Sequence, residues 1–221
     1  MKKIANLKLI ANIQKAPSVE TIEFEGVILT IQPTVYLPRE DSFLLAKAVQ
    51  QLATGTVLDI GTGSGIQAIV AAQKQEVTSV TAVDLSKKAL SCAEKNVEQN
   101  HVATNKIKFI NSNLFQKVNS KQKFDTIIFN PPYVPVEKSE IRDEESMAWH
   151  GGATGREILD KFLVQFPKFL APNGKLLLLQ SSLNNVDKTK EILQKLGFNC
   201  KEISSQAFFF ERIYVHKVTK I

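Results

Sequence analysis

The chain has 221 residues, with 28 basic against 22 acidic residues for a formal charge of +6, and 43% of it is apolar. That is globular composition, long enough for one ordinary domain and short for two. No apolar run approaches the roughly 18–20 residues of a membrane span. Lys2 and Lys3 are followed by Asn6, Lys8, Asn12 and Gln14 rather than by a signal-peptide apolar stretch. Cys92 and Cys200 are too few for a disulfide framework or a zinc-ligand spacing. The expectation is a cytoplasmic protein with reduced thiols and no metal centre. Charge is uneven along the chain: Lys2, Lys3, Lys8 and Lys15 have no acid among them, whereas Glu137, Glu140, Asp143, Glu144 and Glu145 face only Lys138 and Arg142. A basic balance permits nucleic-acid contact without requiring it.

Residues 1–35 read as an N-terminal extension and 36–221 as one domain. Val19–Phe24 and Val27–Ile31 flank Glu25-Gly26 and predict a β-hairpin. Glu40 to Ala53 spaces Phe43, Leu44, Ala46, Ala48 and Val49 as an amphipathic helix. From Thr56 onward, strand-sized runs alternate with helix-length stretches. Strand Thr56–Ile60 leads to a helix over Gly65–Lys74. Strand Ser79–Val83 leads to a helix capped by the Ser86 hydroxyl and ending near Gln99. Strands Lys106–Ile110 and Phe124–Phe129 precede a helix from about Gly155 to Leu170. Strand Lys175–Gln180 and a helix over Val186–Leu196 follow, the latter stopped by Gly197 at its C′ position. Phe198–Ser204 and Phe208–Val218 read as a closing antiparallel hairpin. The alternation predicts an α/β fold, a doubly wound, Rossmann-like seven-stranded sheet with helices on both faces.

Asp59-Ile60-Gly61-Thr62-Gly63-Ser64-Gly65 closes one strand and opens a helix. Glycines there permit positive φ and close approach of a ligand to the backbone, and the helix start offers unpaired N–H donors. A Walker loop needs Gly-Lys-Ser/Thr, but Ile66-Gln67 follows Gly65; a dinucleotide fingerprint needs glycine where Ile66 stands. Asp59 would repel a pyrophosphate and attract an ammonium. Asp84, nineteen residues past Gly65 and followed by Leu85, suits ribose hydroxyls. A ligand with adenosine and an amino acid but no phosphate satisfies both carboxylates, which selects S-adenosylmethionine, with S-adenosylhomocysteine as product. At this point the chain resembles the class I methyltransferases, whose first motif is D-x-G-x-G-x-G and whose second ends in an acid. The resemblance implies that Asn113 and Leu114 meet the adenine. Related enzymes commonly carry Asp at the first of these, and a plain polar turn is the alternative reading of Asn113.

Asn130-Pro131-Pro132-Tyr133 directly follows the strand FDTIIF. Strands one and four of a doubly wound sheet are neighbours about 4.8 Å apart at the switch point, so Asn130 and the glycine loop share one crevice. An amide nitrogen is a poor nucleophile because its lone pair is conjugated, by roughly 18–20 kcal/mol at the rotational barrier. The Asn130 side-chain oxygen and the Pro131 carbonyl can each accept one N–H of an incoming NH₂ and aim its lone pair at a methyl donor. Such bonds strengthen as charge develops, at about 1.5–3 kcal/mol apiece. Two prolines hold the carbonyl still, and Tyr133 offers a face for a planar group. Catalytic roles are therefore expected of Asn130, Pro131 and Tyr133, with Pro132 also lining the substrate. A rigid Pro-Pro turn without chemistry is the bland alternative.

The motif serves adenine N6, guanine N2 and glutamine N5 alike, so the choice needs more of the chain. Val35-Tyr36-Leu37-Pro38-Arg39-Glu40-Asp41-Ser42-Phe43-Leu44-Leu45, LDIGTGSG, NPPYVP, and Trp149-His150-Gly151-Gly152 with Gly155-Arg156-Glu157 resemble the HemK-like release-factor glutamine methyltransferases over about Val35 to Ser182. The likeness is to the short archaeal/eukaryotic-type branch. It implies methylation of the glutamine in the Gly-Gly-Gln loop of a peptide chain release factor, and for some members a small zinc-binding activator subunit. It also implies that Glu40, Asp41 and Ser42 close over the methionine end of the cofactor, a capping role at the helix start being the alternative. The cofactor set is completed by Asp59, Gly61, Gly63, Gly65, Asp84, Leu85, Asn113, Leu114 and Asn130. The acidic run at 137–145, expected at the substrate mouth, favours a basic protein loop over a phosphate backbone. If the Lys2–Lys15 stretch lies there instead, an rRNA or DNA amino-methyltransferase becomes the reading. A cofactor-binding protein without activity is the third.

Overall fold

The computed structural model describes residues 19–135 and 150–221. The basic Lys2–Lys15 stretch, the acidic run at 137–145 and Trp149 lie outside the described residues. Two antiparallel strands come first, β1 (Glu20–Phe24) and β2 (Val27–Ile31), joined at Glu25 and Gly26 with φ of 48° and 85°. They pack on the sheet domain through Val27, Leu29 and Ile31, the inward positions of an alternating strand, and through a stacked Phe24–Phe43 pair. Helix α1 (Glu40–Leu52) follows.

Then come β3 (Gly55–Ile60), α2 (Ile66–Ala72), β4 (Val77–Asp84), α3 (Lys87–Gln99), β5 (Ile107–Asn111) and β6 (Phe124–Phe129). Beyond the undescribed segment lie α4 (Glu157–Gln165), β7 (Leu170–Ser181), α5 (Val186–Lys195), β8 (Phe198–Ala207) and β9 (Arg212–Lys220). The seven-stranded sheet runs β5-β4-β3-β6-β7-β9-β8, parallel from β5 to β7 and antiparallel thereafter. This is the doubly wound order with a C-terminal hairpin expected from the alternation. β3 and β6 are neighbours, in register from Val57↔Thr126 to Ile60↔Phe129. Both strands therefore end at the same level, and the glycine loop and Asn130 leave the sheet side by side. The central strands carry short continuous apolar runs, Val57-Leu58, Ile127–Phe129 and Leu176–Leu179, because both faces are covered. One core layer holds Ile69, Val80 and Leu177, and the other Leu58, Phe129, Phe162 and Leu178.

Ser86 caps α3, its hydroxyl accepting from the Ala89 amide at 3.3 Å. Three elements differ most from expectation. The helix begun near Gly155 forms only at Glu157 and passes at Phe166 into a 3₁₀ turn, because Pro167 supplies no amide to continue the α-helical ladder. β7 begins at Leu170 rather than Lys175, and its register against β6 jumps between Phe124↔Leu170 and Thr126↔Lys175 to absorb Pro172-Asn173-Gly174. β9 begins at Arg212 rather than Phe208. The Phe208 amide donates to the Glu211 carbonyl at 2.7 Å, so the three phenylalanines form the turn, with Phe209 and Phe210 in solvent. No helix among the described residues is long and apolar enough to cross a membrane.

Candidate active site

The glycine loop is built on positive φ at Gly61, Gly63 and Gly65, of 68°, 55° and 87°. Gly65 is decisive: it caps α2 in the left-handed region, and a Cβ there would lie 2.9 Å from that of Ala93. Beneath the loop, Asp59 is 1% exposed and accepts from the Thr62 hydroxyl at 2.6 Å. Burial pushes its carboxyl up to about 7, with the Asp84 charge adding to the rise and the Thr62 hydroxyl opposing it. Asp84, at the end of β4, accepts from the Gly63 amide at 2.9 Å and the Ser86 amide at 2.8 Å, one on each oxygen. Burial raises its pKa and these amides hold it back. The Leu85 amide is also directed at the carboxylate, which leaves part of its lone-pair capacity free. Two carboxylates thus converge on one loop, and no Lys or Arg pairs with either among the described residues. A buried acid without a basic partner, as Asp59 is, favours a cationic group such as an amino-acid ammonium, and the lone pairs left on Asp84 suit ribose hydroxyls.

Asn130 steps off β6 beside this loop. Its Nδ2 donates to Asp41 Oδ2 at 3.0 Å, and its Oδ1 is covered and has no hydrogen-bond partner among the described residues. An oxygen in this condition, next to the glycine loop, is open to a donor from a bound group. The same Asp41 carboxylate accepts from the Tyr133 hydroxyl at 3.3 Å, the Tyr36 hydroxyl at 3.1 Å and the Ser42 hydroxyl at 3.2 Å. Burial, followed by the Asp41 charge, pushes both tyrosine phenols up, so they remain donors. Ser42 is anchored in turn, its carbonyl accepting from Gln67 Nε2 at 2.9 Å.

The NPPY turn is held from behind. Asn184 Nδ2 donates to the Tyr133 carbonyl at 2.7 Å and to the Gly155 carbonyl at 3.1 Å. A Cβ on Gly155 would fall 2.5 Å from the Tyr133 oxygen, so the left-handed glycine allows the two backbones to close. Arg156, 4% exposed, donates to the Asn184 carbonyl and to Asn185 O at 2.9 Å while pairing with Asp160 at 2.7 Å. The Gly-Arg-Glu segment is thus a brace for the loop that carries Asn130.

Asp59, Gly61, Gly63, Gly65, Asp84, Asp41, Ser42, Asn130, Pro131, Pro132 and Tyr133 are brought together at the ends of β3, β4 and β6 and the start of α1. Leu85 is exposed beside Asp84; Asn113 is exposed and Leu114 half-buried just past β5, at the same edge. Glu40 is exposed at the first position of α1, with Asp41 turned inward instead. Sequence reasoning missed Tyr36, Asn184 and Asn111, whose Nδ2 donates to the Asp84 and Leu85 carbonyls at 3.1 and 2.7 Å. Tyr36 stood inside the quoted Tyr-x-Pro-x-Glu-Asp-Ser segment, whereas nothing local marked Asn184.

Residues 39–210 match the family profile described as the methyltransferase small domain. The chain belongs to that methyltransferase family. Over 195 residues the methyltransferase is 38% identical to a protein of Methanocaldococcus jannaschii that bears the provisional name protein N5-glutamine methyltransferase, covering 88% of this chain and 96% of that one. It is 34% identical over 204 residues to the release factor glutamine methyltransferase of Lactococcus lactis subsp. lactis, covering 88% and 69%. Among solved structures, the E. cuniculi Mtq2–Trm112 complex, described as responsible for methylation of the eRF1 translation termination factor, matches with a TM-score of 0.65. It is 25% identical and covers 85% of this chain and 99% of that chain.

Proposed function

We propose that this methyltransferase uses S-adenosylmethionine to methylate the N5 amide of the glutamine in the Gly-Gly-Gln loop of a peptide chain release factor. The observation that carries the reading is the unpaired, buried Asn130 oxygen beside the glycine loop. When bound, the cofactor supplies an electrophilic methyl group on a sulfonium. The bare backbone of Gly61 and Gly63 lets it approach, Asp84 takes ribose hydroxyls on its remaining lone pairs, and the Asp59 charge favours its ammonium. Leu85, Asn113 and Leu114 border the adenine. Asn130 Oδ1 and the Pro131 carbonyl each accept one N–H of the glutamine amide and turn its lone pair toward the methyl. Both bonds strengthen as the nitrogen becomes positive, so they favour the transition state over the bound substrate. Tyr133 and Pro132 flank the planar amide. The proton leaves after transfer, so no general base precedes it. The names of the relatives support glutamine as acceptor, and the two-protein solved relative supports a small activator subunit, in our reading a zinc-binding one.

Tritiated S-adenosylmethionine incubated with the cognate release factor labels the factor, and replacing the loop glutamine by alanine removes the label. Label that survives that change rejects the substrate. Label in RNA or DNA with steep salt dependence supports the nucleobase alternative. Asn130→Ala lowers the rate by tens to hundreds of fold, the loss of one charge-assisted bond of about 1.5–3 kcal/mol. Unchanged activity would leave Asn130 without a catalytic part.

A further inference from the structure

We propose that Asp41 is a positioning residue that decides which face of the Asn130 amide meets the substrate; the inference rests on the acceptor role given to Asn130 above. An asparagine side chain presents an oxygen and an NH₂ of nearly equal shape, and its surroundings choose between the two orientations. Here the choice is made across 89 residues of sequence by the 3.0 Å bond from Asn130 Nδ2 to Asp41 Oδ2. Turned over, the amide would set Oδ1 against a carboxylate oxygen and offer NH₂ to an incoming NH₂, two donors face to face. A bond to an ionised acceptor is roughly twice as strong as a neutral one, which holds the productive orientation.

The carboxylate is itself fixed. Tyr36 and Ser42 donate to its Oδ1, and Asn130 and Tyr133 to its Oδ2. These four bonds use the roughly four lone-pair sites a carboxylate has, and at 5% exposure water cannot replace a lost partner. Its hydrogen-bonding capacity is thus directed at the protein's own donors. Asp41 therefore acts through Asn130, in contrast to the direct cofactor contact implied by resemblance. Because Tyr133 shares the same oxygen, one group sets both the acceptor and the aromatic wall.

The test uses the full chain, its release factor and tritiated S-adenosylmethionine, with calorimetry of S-adenosylhomocysteine binding and a melting curve for each variant. Asp41→Asn lowers kcat by ten- to a hundredfold, with the product's Kd and the KM for S-adenosylmethionine changed by less than threefold. Added to Asn130→Ala, it costs less than threefold more. A tenfold loss of product affinity alongside the rate, or single losses that multiply in the double variant, overturns the proposal. A swap guards against misfolding of the single variant. Asn130→Asp alone sets two carboxylates in contact and lowers turnover at least a hundredfold, and adding Asp41→Asn restores the pair's hydrogen bond and raises turnover at least fivefold above that of Asn130→Asp. No recovery in the swap also overturns it. Failure of the substrate reading shows separately, as wild-type label elsewhere than the glutamine, and the same comparisons are then made on that acceptor.

Discussion

Two buried titrating groups give this protein a stability that depends on pH in opposite directions. Asp59 has its carboxyl raised by burial to about 7, whereas an unfolded aspartate titrates near 3.8. Between those values the folded chain holds one more proton than the unfolded chain, so stability falls as pH rises. At about 1.4 kcal/mol per pKa unit, the three-unit displacement amounts to about 4 kcal/mol. His216, on β9 between Leu178 and Glu202, is fully buried, and neither ring nitrogen has a hydrogen-bond partner among the described residues. Burial, helped by Lys190 and opposed by Glu202, lowers its pKa from 6.5 to about 4. Between these values the unfolded chain holds the extra proton, so this contribution grows with rising pH and is lost as pH falls, by about 3 kcal/mol. The two slopes nearly cancel from pH 4 to 6.5. In urea titrations over pH 4–8, Asp59→Asn leaves the His216 slope alone, and stability climbs by about 3 kcal/mol to pH 6.5. His216→Phe leaves the Asp59 slope, and stability drops by about 4 kcal/mol between pH 4 and 7. Asp84, also raised by burial, is coupled to Asp59 by charge, so it cancels in the comparison of wild type with His216→Phe, while Asp59→Asn also removes that coupling. Parallel curves for the wild type and both variants would refute the assignment of these protons.

A ligand that brings its ammonium group to Asp59 lowers the pKa of this carboxyl, so S-adenosylhomocysteine affinity rises from pH 6 to 7.5 and binding releases protons. Calorimetry in buffers of different ionisation enthalpy reads the release, which Asp59→Asn abolishes. Gly65→Ala combines a left-handed φ, at about 1–2 kcal/mol, with a Cβ 2.9 Å from Ala93, at about 1–3 kcal/mol. The expected loss of about 2–5 kcal/mol shows as a lowered urea midpoint, and an unmoved midpoint counts against the close approach of the loop to α3. Asn184→Ala removes both donors that tie Tyr133 to Gly155, at about 1–3 kcal/mol for the carbonyls left behind. It lowers kcat while product affinity stays within threefold, and equal losses in both would place Asn184 at the cofactor instead.

What local pattern can encode was legible in the sequence. The order of strands and helices, the glycine loop and the NPPY turn each depend on a few consecutive residues, with backbone freedom at Gly65 and its absence at Pro131 and Pro132. Parallel winding then required β3 and β6 to be neighbours, which was enough to bring Asp59, Asp84 and Asn130 to one edge. The boundaries of α4, β7 and β9 were set by competition that composition hides, such as a turn closed between Phe208 and Glu211 within an apolar run. Only the tertiary structure decided the orientation of the Asn130 amide, the inward turn of Asp41, the part played by Tyr36, and the brace from Asn184 and Arg156. Those hydrogen bonds join residues up to 92 apart in the chain. They follow no helical or strand period, because their partners meet only after the sheet has closed.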